Sequence, residues 1–136
     1  MEQRSFAEAV ASHERALQLL RAKGDRYGEG CALHNLSVAL QGSKRYAETA
    51  AACEQAVTIF RDAKDRAREG LALDSQGRAL AGLQRFAIAI TAHEAAAACF
   101  RAVSDRRRAA DYGRWARAVR LAAIRSAAIA RARSAS

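Results

Sequence analysis

The fold is decided at residues 32–56, which read ALHNLSVALQGSKRYAETAAACEQA, and at residues 72–96, which read ALDSQGRALAGLQRFAIAITAHEAA. The second stretch repeats the first after 40 residues, and residues 24–63 match residues 64–103 at 16 of 40 positions. Self-similarity at such a period indicates stacked supersecondary units, each of which packs on its neighbours in the chain.

The repetition continues outward from these stretches in both directions. An Asp-Arg pair occurs at residues 25–26, 65–66 and 105–106, and an aromatic residue occurs at positions 6, 46 and 86. The sequence therefore divides into a half repeat (4–22), two full repeats (25–63 and 65–103) and a capping segment (106–132). We expect these parts to form a single domain over residues 1–136.

Each full repeat carries the apolar spacing of two amphipathic helices, and the half repeat carries that of one. The chain lacks proline and is rich in alanine and arginine, which favour helix. Glycines at residues 24, 42 and 82 separate the periodic segments. We therefore predict an all-α fold of six helices. Gly30 recurs as Gly70, and this predicts that a neighbouring helix approaches closely at that position.

These units resemble the tetratricopeptide repeat (TPR), a helix-turn-helix family whose usual length is 34 residues. The positions of the family pattern are occupied in the first copy by Leu33, Leu36, Ser37, Leu40, Tyr46, Thr49 and Ala56, and in the second by Leu73, Gln76, Gly77, Leu80, Phe86, Ala89 and Ala96. The 40-residue step is similar to the variant in spindle-orientation adaptors and actinobacterial regulatory proteins. The resemblance implies a right-handed α-α superhelix, or solenoid, of antiparallel helix pairs.

The two ends of the chain depart from the family pattern. The third register carries Ala116-Arg117 in place of Leu-Gly, so the last helix is expected to be a cap rather than a repeat. The first helix lacks the partner that would precede it. It therefore leaves apolar surface exposed, pairs with another chain, or belongs to a longer protein.

The resemblance implies a function in protein–protein interaction. In TPR domains the first helix of each pair lines a concave groove, which would bind a peptide or helix of a partner protein here. The residues at these positions are Cys31, His34, Asn35, Val38, Gln41, Leu71, Asp74, Ser75, Arg78, Ala81, Asp111, Arg114 and Ala118. The Asn35 amide suits a peptide backbone, and the guanidiniums of Arg78 and Arg114 suit carboxylates.

The net charge of +9 is concentrated at one end, because residues 106–136 carry nine arginines against Asp111 alone. On a helical wheel Tyr112 and Trp115 share a face that would seal the repeat stack. The opposite face holds the basic residues Arg107, Arg114, Arg117 and Arg125. Three interpretations remain open for this helix: a solvated cap, a protein contact or self-association, and binding of nucleic acid or an anionic surface. Nucleic acid is the less favoured partner, since no recognition motif for DNA or RNA accompanies the charge.

Self-assembly through the unpaired first helix, for example as a homodimer, is a further alternative function. We expect a cytoplasmic protein without a transmembrane segment, since no apolar run of about 18 residues and no signal-peptide pattern occur. The three cysteines, Cys31, Cys53 and Cys99, are scattered and predict buried thiols rather than disulfides. No catalytic, cofactor-binding or metal-binding motif is present, so we expect a protein that is not an enzyme.

Overall fold

The computed structural model of the chain describes residues 2–103 and 106–135, with side chains described at 4–103 and 110–135. It contains six helices: α1 (Glu2–Lys23), α2 (Arg26–Gly42), α3 (Tyr46–Asp62), α4 (Arg66–Gly82), α5 (Phe86–Ala102) and α6 (Arg106–Ala135). Within these residues no strand is present, and the prediction of an all-α fold with six helices is confirmed. The last helix, expected to end at residue 132, continues to Ala135.

The four turns between α1 and α5 share one backbone geometry. One residue of each turn has a φ angle between 60° and 72°, and these residues are Gly24, Lys44, Lys64 and Gln84. The backbone N–H of the next residue donates to the carbonyl five residues earlier, as from Asp25 to Leu20 at 3.0 Å and from Asp65 to Phe60 at 2.9 Å. This is the Schellman arrangement, which ends a helix by satisfying its last carbonyl groups.

The residue after the left-handed one also begins the next helix at two of these turns, where Asp25 caps α2 and Asp65 caps α4. The carboxylates of Asp25 and Asp65 accept hydrogen bonds from the backbone N–H of Gly28 (2.8 Å) and Arg68 (3.1 Å). A helix of 17 residues and a turn of three together make 20 residues. Two such units account for the 40-residue step of the sequence.

Each helix packs on its neighbours in the chain, and α2 also touches α4 directly. No comparable contact joins α1 to α3, α3 to α5 or α4 to α6 among the described residues. The stack is therefore tighter on the side of α2 and α4 than on the side of α1, α3 and α5. This consecutive packing is consistent with a helical repeat, and its core is built from residues such as Leu33, Phe60 and Phe100.

Glycines allow the two helices of each repeat to approach closely. A Cβ atom on Gly30 would lie 2.7 Å from the Cγ2 of Ile59, and one on Gly70 would lie 2.9 Å from the Cζ of Phe100. Real Cβ atoms do not approach side chains at such distances. The prediction of close helix contact at Gly30 and Gly70 is confirmed.

The first helix has one uncovered face. Leu19 is 63% exposed, whereas the residues at the same register in α3 and α5, Ile59 and Cys99, are 3% and 2% exposed. Ile59 and Cys99 are buried against the helix that precedes each of them, whereas no helix among the described residues covers this face of α1. Its inner face is well packed, since Val10 and Leu17 belong to the core.

The last helix closes the other end of the stack through aromatic contacts. Tyr112 stacks on Phe100 with ring centroids 5.1 Å apart, and Trp115 lies against His93. The apolar face predicted for this helix is therefore the one that packs on α5. At 1.5 Å per residue, the 30 residues of α6 span about 45 Å and the 17 residues of α5 about 25 Å.

The C-terminal part of α6 therefore extends beyond α5, and its described side chains from Ile124 onward are all exposed. Neither α6 nor any other helix among the described residues combines the length and hydrophobicity needed to cross a membrane.

Candidate functional site

The predicted groove residues of α2 lie on one helix face with different degrees of exposure. Asn35 is exposed and Val38 is 55% exposed, whereas Cys31, His34 and Gln41 are half-buried. α2 therefore presents an apolar side chain and an amide to solvent beside three partly covered side chains. We refer to this face, with its counterparts on α4 and α6, as the α2–α4–α6 surface.

On α4 only one of the three polar residues predicted for the groove reaches solvent. Asp74 and Ser75 are 6% and 9% exposed. The Asp74 carboxylate lies 3.2 Å from a guanidinium nitrogen of Arg78 and 3.2 Å from the Nδ1 of His93. Asp74 is therefore buried and paired with Arg78, and its Oδ1 and the Nδ1 of His93 form no hydrogen bond with one another, so the Arg78 guanidinium is the exposed group.

A polar contact joins the two repeats beneath this surface. The Ser75 hydroxyl lies 3.4 Å from the Nε2 of His34, so a side chain of α4 meets one of α2. Burial lowers the pKa of His34, and the positive charge of Arg68 acts in the same direction. His34 is therefore a neutral imidazole at neutral pH, able to donate one hydrogen bond and to accept another.

The contribution of α6 is exposed and strongly basic. Asp111 and Arg114 are exposed and form an ion pair with one another. Arg117 and Arg125 are exposed, and the side chain of Arg107 lies outside the described residues. The predicted groove and basic-helix residues of α6 thus form a charged surface rather than a pocket.

Sequence reasoning missed a cluster at the N-terminal ends of α2 and α4. The Tyr27 hydroxyl donates a 2.6 Å hydrogen bond to Asp65, and this contact raises the pKa of Tyr27. The Arg68 guanidinium lies 5.7 Å from the centroid of the Tyr27 ring and pairs with Asp65 at 3.2 Å. The recurrence of the Asp-Arg pair was the available signal, but it indicated only the repeat boundaries and not a contact between repeats. The cluster fixes a further cation, Arg68, beside Cys31 and His34.

The thiols of α3 and α5, Cys53 and Cys99, are buried packing residues, as is His93 of α5. Cys53 and His93, which occupy the same register in α3 and α5, are fully buried, and His13 is half-buried. Burial raises the pKa of the Cys53 thiol to about 11, so it is protonated at neutral pH. All three cysteines are free thiols.

Neither protein-family models nor curated proteins give a match to this chain. The TPR resemblance thus rests on the residues themselves. What the α2–α4–α6 surface offers chemically is an apolar contact at Val38, a bifunctional amide at Asn35, and guanidinium groups at Arg68 and Arg78. Such a set suits a peptide that carries both apolar and acidic side chains.

Proposed function

We propose that the protein is a TPR-type interaction scaffold that binds a peptide or helix of a partner protein. In this proposal the helix pairs form a right-handed superhelix, and the α2–α4–α6 surface is its concave groove. The direct contact between α2 and α4 supports this orientation, because the inner side of a curved stack brings its helices closest together. The role is binding rather than catalysis, in the cytoplasm.

The exposure of Val38 is the observation that carries the proposal. Val38 is 55% exposed, whereas Ala39 and Leu40, the next two residues of the same helix, are buried and only 5% and 3% exposed. A rigid helix therefore presents an apolar residue to solvent, next to the Asn35 amide. Helix-presented apolar anchors of this kind are used in peptide recognition.

The charges nearby favour an acidic partner. Arg78 pairs with Asp74 through one guanidinium nitrogen, and its side chain is 54% exposed. Arg68 lies at the N-terminal end of α4 and Arg114 on α6. We expect the partner to present an apolar side chain flanked by aspartate or glutamate, since guanidinium–carboxylate contacts are strong and directional.

The proposal is tested by selecting binders from a phage-displayed random peptide library and measuring the anisotropy of a labelled synthetic winner. Val38→Glu and Arg78→Glu should each weaken binding by about tenfold or more, which corresponds to about 1.4 kcal/mol. Ile88→Glu is the matched control, because Ile88 is 56% exposed but lies on α5, outside this surface. Equal binding by the Val38 and Ile88 variants would refute the groove.

The alternative function is binding of nucleic acid or another anionic surface through the basic helix. The exposed side chains of Arg114, Arg117 and Arg125 favour it. Affinity for a labelled oligonucleotide would then fall steeply as salt rises, because each neutralised phosphate releases counterions. Replacing the three arginines by glutamine should abolish that affinity and leave peptide binding on α2 and α4 largely unchanged.

A further inference from the structure

A second groove lies between α1 and α3, on a different side of α2 from the proposed peptide site. Its floor is formed by Leu33, Leu36 and Leu40 of α2, and the cavity has a volume of about 350 Å³. Around the axis of α2, Leu36 and Val38 are separated by about 200° at 100° per residue. The groove exists because α1 and α3 both pack on α2 without a contact between them comparable to that of α2 and α4.

The rim of this groove is polar and carries both glutamates and an arginine. Glu14 and Arg21 of α1 stand on one side and Glu48 and Gln55 of α3 on the other, and Arg21 donates a 3.1 Å hydrogen bond across the groove to Gln55. A neighbouring cavity of about 260 Å³, lined in part by Glu54 and Gln55, continues the groove along α3. An apolar floor between glutamate-bearing walls fits a helix that carries apolar and basic side chains together.

The cations closest to this groove are already engaged within the chain. Arg45 pairs with Glu48, and Arg21 pairs with Glu29 at 3.0 Å. Glu54 and Glu14 have no basic group within 4 Å among the described side chains. The pKa of Arg45 is nevertheless raised by its hydrogen bond to Glu48 and, to a smaller extent, by the charge of Glu14. These two carboxylates are therefore the charges that an incoming basic segment would meet.

The C-terminal part of α6, residues 120–135, has the complementary chemistry. Leu121, Ile124 and Ile129 are 63%, 58% and 47% exposed, and the segment contains arginines but no acidic residue. Arg120 pairs with Glu94 of α5 at 2.6 Å, and the segment then extends past the end of α5, where the side chains of residues 124–135 are exposed. Exposed leucine and isoleucine among arginines fit a groove with an apolar floor better than they fit a phosphate backbone alone.

We propose that the groove between α1 and α3 binds residues 120–135 of a second copy of the chain. Binding to the groove of the same molecule is excluded by distance. The segment projects from the α5 end of the stack, which the successive helices α2, α3 and α4 separate from α1 at 8–10 Å per packed pair. The contact joins two different surfaces, so it is heterologous and adds copies head to tail into a ring or an open chain.

The proposed self-association is tested by sedimentation equilibrium of the chain over a roughly hundredfold range of concentration. The average mass should rise above the 14.7 kDa of the monomer as concentration increases. Leu121→Glu with Ile124→Glu, or Glu14→Arg with Glu54→Arg, should raise the dissociation constant by about tenfold or more. Raising the salt concentration should weaken the association, since the carboxylate–arginine contacts are solvent-accessible.

A charge exchange makes the test specific to this pair of surfaces. Glu14→Arg/Glu54→Arg and Arg125→Glu/Arg131→Glu variants should each remain largely monomeric alone and associate when mixed, because each contact then joins opposite charges. Glu8→Arg is the matched control, since Glu8 is exposed on α1 away from the groove. A chain that stays monomeric at every concentration would overturn the proposal.

Association that the α6 and groove variants leave unchanged would also overturn the proposal, and would direct attention to the uncovered face around Leu19. Val38→Glu should leave the association intact. Failure of the peptide site and failure of this self-association are therefore distinguishable.

Discussion

The indole of Trp115 lies against the imidazole of His93, with ring centroids 3.3 Å apart and an angle of 37° between the planes. His93 is fully buried in α5, and Trp115 belongs to α6. On the other side of the imidazole, its Nδ1 faces the Asp74 carboxylate of α4, which also pairs with Arg78. One histidine thus connects the second repeat to the helix that closes the stack.

This contact predicts that Trp115→Ala weakens the attachment of α6. Removal of the half-buried indole exposes His93 and leaves Tyr112 as the principal aromatic contact of the cap. We expect the free energy of unfolding to fall by about 2–4 kcal/mol. This is slightly less than the loss of about 3–5 kcal/mol for a fully buried tryptophan, because Trp115 is only half-buried. Urea denaturation followed by circular dichroism measures the loss. Trp115→Phe should retain most of the stability, and a loss of equal size would show that ring stacking is not the cause.

The environment of His93 also predicts a pH dependence of stability. Burial lowers the pKa of His93 to about 4 from an ordinary value of 6.5, and the positive charge of Arg78 acts in the same direction. The unfolded chain therefore binds the proton more readily than the folded chain between pH 6.5 and 4. The folded chain keeps His93 uncharged, and the resulting contribution to the free energy of unfolding is complete above pH 6.5. It is lost as the pH falls towards 4, because the unfolded chain then takes up the proton first.

The size of this effect is at most about 3 kcal/mol, at 1.36 kcal/mol per pKa unit. It is measured as the difference in unfolding free energy between pH 7 and pH 4.5, for the native chain and for His93→Gln. The variant should show a smaller decrease on acidification. Some decrease should remain, because the lowered pKa of His34 acts in the same sense. An unchanged pH profile in the variant would contradict this assignment.

Sequence alone predicts the helices and turns well, because these depend on local signals that recur in each repeat. Gly30 and Gly70 mark close helix contacts, as their repetition at a fixed step predicts, and the repeated Asp25 and Asp65 each cap the helix that follows. Helix number and order follow from the same signals. On the face of α2 predicted to line the groove, Asn35 and Val38 are exposed, whereas Cys31, His34 and Gln41 are half-buried.

The depth at which a side chain lies was less predictable, since it depends on what the neighbouring helix places opposite. Asp74 is buried because α5 presents His93, whereas α3 presents the smaller Cys53 at the same register. The pairing of Tyr27 with Asp65 likewise joins residues 38 positions apart in two repeats. Spacing along one helix identifies a face, but it carries no information about such cross-repeat partners.

The turn geometry predicts three stabilising substitutions. Lys44, Lys64 and Gln84 have left-handed backbone angles, which cost a residue with a side chain about 1–2 kcal/mol. Glycine removes this strain but loses more entropy on folding, so each change to glycine should stabilise by about 0.5–1 kcal/mol. Thermal denaturation of the single and triple variants measures the gain, which should be additive at these separated sites. Gly24→Ala, at the equivalent turn, should destabilise; a neutral result there would argue against strain as the cause.

The most specific prediction concerns a pair of positions whose sizes compensate between repeats. In the first repeat Ser37 lies opposite Cys53, and in the second Gly77 lies opposite His93. A Cβ atom on Gly77 would collide with the His93 ring. Gly77→Ser should therefore destabilise by about 1–3 kcal/mol through overpacking.

Combining Gly77→Ser with His93→Cys reproduces the pair found in the first repeat, and this should restore much of the lost stability. A double-mutant cycle in urea measures the coupling, which we expect to be about 1–2 kcal/mol and favourable. Gly113→Ser is the control, because the space beside Gly113 is open, with its nearest neighbour, an Arg117 nitrogen, at 3.8 Å. Additive effects of the two changes would show that the two positions do not compensate one another. The loss of the Trp115 contact in the His93→Cys variant sets the upper limit of the recovery, since a thiol cannot replace the stacked imidazole.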